Sequence, residues 1–304
     1  MIKPPALRPS SVVGVVAPSS PIRREFLERG LEELAGLGFR ARLGRSIEES
    51  SRYTAGSPDR RAADFAELWE DPEVAAIFCA RGGYGSLELL DRLDAERLRA
   101  HPKIVLGSSD ATALLCFLAA RVGLVSFHGP MVAQQMARGR SAYDANNLLA
   151  LLGDGRPAGR LAASGVRLVH PGRAEGIVLG GCLSLVAALV GTPYLPSFDG
   201  AIVFLEDTAV KPYQIDRMLW QLRKSRSLEG VRGFVFGEMP GCEQHPSQGY
   251  ALDDVLRDAT AGLGVPVLSG FPSGHCVAPA MTLPLGVRAS MDHDGLTLLE
   301  GAVV

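Results

Sequence analysis

Short apolar runs alternate with segments of helical apolar spacing along the first half of the chain. The runs predict buried strands over residues 12–17, 39–43, 74–80, 103–106 and 124–128. Between them, apolar residues at helical spacing predict helices over residues 25–37, 60–69 and 111–121. This alternation is typical of a parallel sheet covered by helices on both faces. In such a sheet the chemistry lies in the loops that follow the strands.

The pattern changes between residues 151 and 173, where glycine and proline are frequent and the apolar periodicity ends. We interpret residues 151–174 as a linker that joins an α/β domain over 1–150 to a second domain over 175–304. Further apolar runs predict strands over 201–205, 231–236, 265–268, 282–290 and 296–299. The predicted fold class is therefore α/β, with an N-terminal doubly wound parallel-sheet domain and a second, β-rich C-terminal domain.

Composition narrows the class of protein further. Of the 304 residues, 47% are hydrophobic and 21% are charged, which is a normal globular balance. A net charge of −2 gives no electrostatic reason to expect nucleic acid or an anionic membrane as a partner. No apolar segment approaches the ~20 residues of a membrane span. We expect a cytoplasmic protein, since no apolar run is long enough for a signal peptide either.

The five cysteines are scattered and form no CxxC pair. This spacing argues against a disulfide framework and against a zinc site, and it favours reduced thiols. The sequence also has no HExxH or HxH pattern. We therefore expect neither a metal nor another cofactor.

The strand predicted over 103–106 leads through Gly107, Ser108, Ser109 and Asp110 into a predicted helix. A serine on such a turn presents its hydroxyl beside N–H groups that have no helical partner, and these can hold an oxyanion. Serine nucleophiles are commonly presented in this way. The same residues are also ordinary N-cap residues, so the turn by itself leaves both interpretations open.

A glycine-rich loop, Arg81-Gly-Gly-Tyr-Gly-Ser86, follows the strand predicted over 74–80. Glycines let the backbone approach a ligand closely or present bare N–H groups. The loop lacks the GxGxxG order and the lysine-serine ending of phosphate-binding loops. We favour an oxyanion loop facing Ser109 over nucleotide binding and over a plain connection.

A serine hydroxyl needs a base, and the base works best when a carboxylate holds its tautomer. Among the six histidines, His275 is the strongest candidate because it lies in a glycine-flanked loop after a predicted strand. Glu206 and Asp207 follow the strand over 201–205, where a carboxylate can be directed at a neighbour. His128, at the end of an apolar strand, is more often a structural group. A surface position for His275 and a solvated turn for the carboxylates stay open.

Four groups of motifs, in this order, resemble the LD-carboxypeptidases, a family of serine peptidases that includes the microcin-immunity peptidases. The motifs cover residues 81–86 with 90–94, 107–114 with 128–131, 180–194 with 204–217, and 274–275 with 283–286. The family resemblance implies a wound α/β domain followed by a C-terminal domain with its own β-structure. It also implies a homodimer.

The resemblance assigns a role to each candidate residue. Ser109 would be the nucleophile, His275 the base and Glu206 the acid that orients it. The N–H groups of Asp110 and Gly83 would form the oxyanion hole. The side chains of Ser109, Glu206 and His275 would meet in a cleft between the domains, which is a common place for small-molecule sites.

The implied reaction hydrolyses the amide bond between an L-centre and a terminal D-amino acid. The substrate would be a murein tetrapeptide and the product D-alanine, as in cell-wall recycling. A terminal carboxylate must then be bound, and Arg81 and Arg217 are candidates because arginine binds carboxylates in a bidentate manner. Each of these arginines is equally suited to a structural ion pair.

Two alternatives accompany this hypothesis. A microcin-type peptidyl or aminoacyl-nucleotide hydrolase would need an aromatic platform for the base, and both tryptophans, Trp69 and Trp220, lie in helix-like patterns typical of core packing. A non-catalytic binding protein for a small ligand is the alternative from a different class. Cys182 and Ser108 replace residues that are usual in the family, and both departures bear on the substrate pocket rather than on the triad.

Overall fold

The computed structural model describes residues 1–161, 164–277 and 279–304. The strands are β1 Val12–Val16, β2 Arg40–Leu43, β3 Val74–Cys79, β4 Ile104–Gly107, β5 Ser126–His128, β6 Gly159–Arg160, β7 Arg167–His170, β8 Ala174–Cys182, β9 Ala201–Glu206, β10 Gly233–Gly237, β11 Val267–Phe271, β12 Leu283–Leu285, β13 Arg288–Asp292 and β14 Gly295–Leu298. The α-helices are α1 Arg24–Gly36, α2 Pro58–Glu70, α3 Ala95–Ala100, α4 Thr112–Phe117, α5 Ala145–Gly153, α6 Leu183–Ala188, α7 Pro212–Lys224 and α8 Leu252–Thr260.

Shorter helical turns complete the description. Helices of 3-10 type cover Arg45–Glu48, Ser86–Arg92, Ser109–Ala111, Met136–Arg138, Pro246–Gln248 and Ala261–Leu263, and a π-helical turn covers Leu118–Val122. The helix predicted over 111–121 is therefore α4 with a 3-10 turn before it and a π turn after it. Gly123 ends this helical stretch in the left-handed conformation, as its position predicts.

The first sheet has six strands in the order β12-β5-β4-β3-β1-β2. Strands β1 to β5 are parallel, and β12 is antiparallel to β5. Every residue of β1, β4 and β5 is buried, which is why these strands read as continuous apolar runs. The prediction of a wound parallel sheet is confirmed, and its last strand comes from the far end of the chain.

The second sheet has eight strands in the order β6-β14-β13-β8-β9-β10-β11-β7. Its centre, β8 to β11, is parallel, and each connection between these strands carries a helix: α6, α7 and α8. The predicted sheet-rich second domain is confirmed. Helix α8 was absent from the sequence prediction because only three of its residues are buried, which leaves a short apolar pattern.

The segment interpreted as a linker, residues 151–174, holds the end of α5 and the edge strands β6 and β7. Residues 162 and 163 of this segment, and residue 278 of the second half, lie outside the described residues. Edge strands that are mostly exposed lack the apolar alternation of a buried strand, so the sequence pattern does not reveal them. The domain boundaries stay a prediction.

The two sheets meet where α4 packs against α6 and β8. At this contact the N–H of Cys182 donates to Thr112 Oγ1 at 2.9 Å. An added Cβ at Gly181, whose φ is +139°, would lie 2.6 Å from the Thr112 methyl group, so only glycine lets β8 approach α4 this closely. In the described part of the chain, no helix has both the length and the apolar character needed to cross a membrane.

Candidate active site

Ser109 lies on a tight turn directly after β4, as the first residue of a 3-10 helix. Its φ is +58°, in the left-handed region that residues other than glycine rarely adopt. The turn is tight, and it requires glycine at position 107: a Cβ added at Gly107 would lie only 2.9 Å from Ala111 Cβ. Backbone strain of this kind clusters at functional sites, and here it falls on the serine that the sequence analysis singles out.

The glycine-rich loop after β3 lies against this turn. A Cβ added at Gly82 would lie 2.8 Å from Ser109 Oγ and 3.3 Å from the backbone nitrogen of Asp110. Among the described residues, the N–H of Asp110 has no hydrogen-bond acceptor. Gly83, at φ +115°, packs against Ser20. The loop therefore faces Ser109, as predicted, and Gly82 is the glycine in contact with it.

The Asp110 side chain ties the neighbouring loops to the turn. Its Oδ2 accepts hydrogen bonds from Ser19 Oγ at 2.6 Å and from the Ser86 N–H at 2.8 Å. Burial raises the pKa of the Asp110 carboxyl above its usual value, although these hydrogen bonds act to lower it. Buried Arg61 adds a second tie, since it donates to the Gly85 carbonyl at 2.8 Å. The loops after β1 and β3 are thus fixed around Ser109.

Glu206 and His275 form a buried, directly bonded pair. Glu206 is the last residue of β9 and is fully buried. Its Oε2 accepts hydrogen bonds from His275 Nδ1 at 2.7 Å and from the His275 backbone N–H at 3.0 Å. Gly274 has φ +84°, and a Cβ there would lie 2.5 Å from Glu206 Cδ. The glycine before the histidine therefore makes the close approach to the carboxylate possible.

The other oxygen of Glu206 faces a second histidine. His128 Nε2 lies 3.5 Å from Glu206 Oε1, and neither atom has a nearer hydrogen-bond partner among the described residues. His128 is fully buried at the end of β5, and its Nδ1 lies 3.4 Å from Ser273 Oγ. Sequence reasoning favoured a structural His128. The fold sets it against the carboxylate, and its role stays a prediction. The position of His128 follows from the strand order, which places β5 next to β4.

Burial and the neighbouring groups shift the pKa values of Glu206 and His275 in opposite directions. Burial raises the pKa of the Glu206 carboxyl, but the contact with His128 and the hydrogen bond from His275 outweigh burial and hold the pKa well below its usual value. Burial lowers the pKa of His275, but the hydrogen bond to Glu206 and the charges of Glu206 and Asp207 raise it above its usual value. Because Nδ1 is bonded to the carboxylate, Nε2 is the nitrogen left for chemistry.

Asp207, the other carboxylate of the predicted pair, has a different role. Its Oδ2 accepts from the N–H of Ser184 at 2.9 Å and from Ser184 Oγ at 2.6 Å, at the start of α6. The sequence analysis could not separate Glu206 from Asp207. The structure separates them, because adjacent residues at a strand end point to opposite sides.

Two paths through the fold connect the Ser109 turn to the Glu206–His275 pair. In the first, Gly107 of β4 is opposite His128 of β5, which faces Glu206. In the second, Thr112 accepts a hydrogen bond from Cys182, and Cys182 is opposite Glu206 between β8 and β9. Among the described residues, the Ser109 hydroxyl itself makes no hydrogen bond, neither with His275 nor with another group.

The two arginines suggested for carboxylate binding lie in different surroundings. Arg81 is half-buried in the loop over Ser109 and donates to the Pro21 carbonyl at 2.9 Å. Arg217 is exposed on α7, with its guanidinium 5.6 Å from the Tyr213 ring centre. Only Arg81 belongs to an element that contacts the Ser109 turn. The substrate-binding role of each residue stays a prediction.

One cluster of side chains in the described residues could ligate a metal ion: Asp292, His293 and Asp294. It lies on the turn between β13 and β14, and the last two residues are exposed. Exposed acidic groups are common without a bound ion. The residues around Ser109 and Glu206 are not part of this cluster.

Two family models match the chain. One, described as the LD-carboxypeptidase N-terminal domain, matches residues 13–129. The other, described as the LD-carboxypeptidase C-terminal domain, matches residues 175–291. The matched segments hold Ser109 in the first domain, and Glu206 and His275 in the second.

Comparison with individual proteins agrees with the family models. A protein of Streptomyces coelicolor that carries a carboxypeptidase name is 41% identical over 98% of this chain and 96% of its own length. The murein tetrapeptide carboxypeptidase of Pseudomonas aeruginosa is 32% identical, over 86% of this chain and 87% of that protein. A solved structure of the microcin C7 self-immunity protein MccF with aspartyl sulfamoyl adenosine has a TM-score of 0.92 at 25% identity, covering 100% of both chains. The motifs, the fold and these matches together show that this chain belongs to the LD-carboxypeptidase family.

Proposed function

We propose that this protein is a serine carboxypeptidase that removes a terminal D-amino acid from murein tetrapeptides, with Ser109, His275 and Glu206 as its catalytic triad. The observation that carries the proposal is the hydrogen bond of 2.7 Å between His275 Nδ1 and Oε2 of the fully buried Glu206. A buried carboxylate that fixes the tautomer of an imidazole is the arrangement that activates a serine. The named activity of the Pseudomonas aeruginosa relative supports the choice of substrate.

In the proposed reaction, Ser109 Oγ attacks the carbonyl carbon of the amide bond while His275 Nε2 takes the hydroxyl proton. The tetrahedral oxyanion is held by backbone N–H groups, and that of Asp110 is the best-supported donor because it has no acceptor among the described residues. The carbon–nitrogen bond then breaks, and His275 gives its proton to the leaving amine. Water, deprotonated by the same imidazole, releases the acyl group from Ser109.

Product analysis tests the proposal directly. We expect the purified protein to convert a mixture of muropeptides so that tetrapeptides lose one alanine residue and D-alanine appears in equal amount. Mass spectrometry of the peptides and a D-amino-acid oxidase assay measure the two products. Tetrapeptides left intact, with all other conditions permissive, would contradict the proposed substrate.

A microcin-type hydrolase is the second candidate, and the similarity to the MccF structure favours it. Trp69 is buried in the core, whereas Trp220 is 52% exposed on α7 and is the tryptophan available to stack on a base. Faster hydrolysis of an aminoacyl sulfamoyl nucleotide than of a tetrapeptide would favour this candidate. A protein that binds either compound without turnover would be the non-catalytic alternative.

The placement of the loop over Ser109 gives a separate prediction. Replacing Gly82 by alanine sets a Cβ 2.8 Å from Ser109 Oγ, so the serine or the loop must move. Because a shift of about 1 Å in a reacting group costs about 10²-fold in rate, we expect kcat/KM to fall by about that factor. Hydrolysis of a chromogenic D-amino-acid peptide measures the change.

The matched control is Gly36→Ala in α1, since a Cβ at Gly36 meets nothing within 4 Å. We expect Gly36→Ala to keep the rate of the parent protein and to stabilise α1 slightly, because alanine is the better helix former. Equal rates for both variants would mean that the loop does not hold Ser109 in place.

The homodimer is proposed on the family resemblance, and the cytoplasmic location on the scattered cysteines, whose reduced thiols suit that compartment. Sedimentation equilibrium of the purified protein tests the first, and fractionation of the producing cell tests the second. The substrate proposal depends on neither outcome.

A further inference from the structure

Two cavities adjoin each other beside the candidate triad. The first, of about 380 Å³, is lined by His275 and by Gln134 and Arg138 of the segment after β5. The second, of about 210 Å³, is lined by the same Gln134 and Arg138 and by Arg81 of the loop over Ser109. Arg138 therefore lies between the His275 imidazole and the glycine-rich loop over Ser109.

The charge of these cavities has one sign. The second cavity is lined by Arg23, Arg81 and Arg138, and no aspartate or glutamate is among the residues that line either cavity. Arg138 forms no ion pair among the described residues. An exposed arginine without a carboxylate partner, next to a histidine that must act on a peptide, is suited to an anionic group of the ligand.

The segment that carries Arg138 is fixed to the core of the first sheet. The N–H groups of Val132 and Ala133 donate to the carbonyls of Cys79 and Ala80 at 3.2 and 2.7 Å. On the other side the Val132 carbonyl lies against Gly30 of α1, where any side chain would collide with it. The 3-10 helix Met136–Arg138 follows at once. The backbone that carries Arg138 is thus held in a fixed position relative to the end of β3, where the glycine-rich loop over Ser109 begins.

We propose that Arg138, with Arg81 behind it, binds the free α-carboxylate of the leaving amino acid. This inference rests on the proposed function and names the group that makes the protein an exopeptidase. The leaving nitrogen must meet His275 Nε2 at hydrogen-bond distance, about 3 Å. The carboxylate carbon lies about 2.5 Å from that nitrogen. The carboxylate carbon must therefore lie within about 5.5 Å of His275 Nε2, and Arg138 lines the same cavity as His275.

This assignment changes one sequence prediction. Arg217 was a candidate for the same carboxylate, but it lies on α7 and lines neither cavity. Arg81 keeps its role as the second cation. A peptide that continues beyond the scissile bond, or that ends in an amide, would place an uncharged group against Arg138 and would be a poor substrate.

The test compares two substrates that differ only at the terminal group. We expect the protein to hydrolyse a tetrapeptide with a free terminal carboxylate about 10²-fold faster, in kcat/KM, than the matched carboxamide, because a charge-assisted bidentate contact is lost. Arg138→Met should lose about 10- to 10²-fold on the acid and little on the amide, so that the ratio approaches one. Arg138→Lys should fall between the two, because lysine keeps the charge without the bidentate geometry.

The control variant is Arg232→Met, which removes an exposed arginine directly before β10. It should keep both rates and the acid-to-amide ratio, and circular dichroism should show that all variants fold. An unchanged ratio in Arg138→Met, with the acid still hydrolysed, overturns this inference and leaves the proposed function intact. Hydrolysis of neither substrate by the parent protein contradicts the proposed function and this inference with it.

Discussion

Replacement of Ser109 by alanine is expected to lower kcat for D-alanine release by about 10⁶-fold, as the loss of a serine nucleophile does in other serine hydrolases. The hydroxyl stands on a backbone with φ +58°, beside the loop of Gly82 and the backbone N–H of Asp110. The adjacent Ser108 is buried, so we do not expect it to replace Ser109 as nucleophile. Single-turnover measurement of D-alanine at high enzyme concentration has the sensitivity to detect a loss of this size.

Covalent labelling supplies an independent measure of the same residue. We expect a fluorophosphonate to attach to Ser109 in the parent protein and to be absent from Ser109→Ala and from His275→Ala. Ser50→Ala, which removes an exposed serine, is the matched control and should label normally. Turnover that survives in Ser109→Ala would exclude this serine as the nucleophile, and labelling without turnover would indicate a ligand-binding protein.

Glu206→Gln is expected to lower kcat by about 10⁴-fold while preserving the shape of the site. The amide keeps the size of the carboxylate but removes the charge that accepts the His275 Nδ1–H at 2.7 Å, so the imidazole loses its fixed tautomer. The glutamine side chain would be fully buried, and its amide group would face His128 Nε2, which lies 3.5 Å from Glu206 Oε1 in the parent protein. Steady-state rates, with circular dichroism to confirm folding, measure this effect.

The pH profile of the same variant tests the cause. In the parent protein, the hydrogen bond and charge of Glu206 outweigh burial and raise the pKa of His275 above 6.5. Since the base must be neutral, kcat/KM should fall as the pH drops through that raised pKa. Without the Glu206 charge the pKa falls, so the acid limb of Glu206→Gln should move to lower pH. Asp207→Asn, which removes a smaller cause of the shift, should move the limb less. An unmoved limb in Glu206→Gln would mean that another group controls the profile.

Local features of the sequence are enough to predict the turn that carries Ser109. A buried apolar strand, a glycine, N-cap residues and a helical apolar pattern all fall within one short stretch, so no knowledge of the fold is needed to expect a turn there. The wound first sheet was predictable for the same reason, because four of its parallel strands, β1, β3, β4 and β5, are buried runs with at most one half-buried residue. Edge strands such as β6 and β7 gave no such signal, because they are mostly exposed.

The residues that depend on strand order could not be assigned in this way. Glu206 and Asp207 are neighbours in sequence, and only the fold shows that one meets His275 while the other holds the start of α6. His128 meets Glu206 because β5 is adjacent to β4 and the second sheet packs at its end. Arg138 lies in no motif, and its position next to His275 comes from a segment anchored on β3. Family resemblance, rather than periodicity, supplied the roles proposed for the triad.

Strand β12 has a consequence for how the protein is made. The first sheet is closed along β5 by residues Leu283–Leu285, which leave the ribosome long after the other five strands. Until they arrive, the open edge of β5 offers unpaired backbone groups to any other strand in reach. Nascent chains that stop early would therefore expose a sticky edge and lack His275 as well. Synthesis must pass β12 before the first sheet is complete, and β14 before the second sheet is complete.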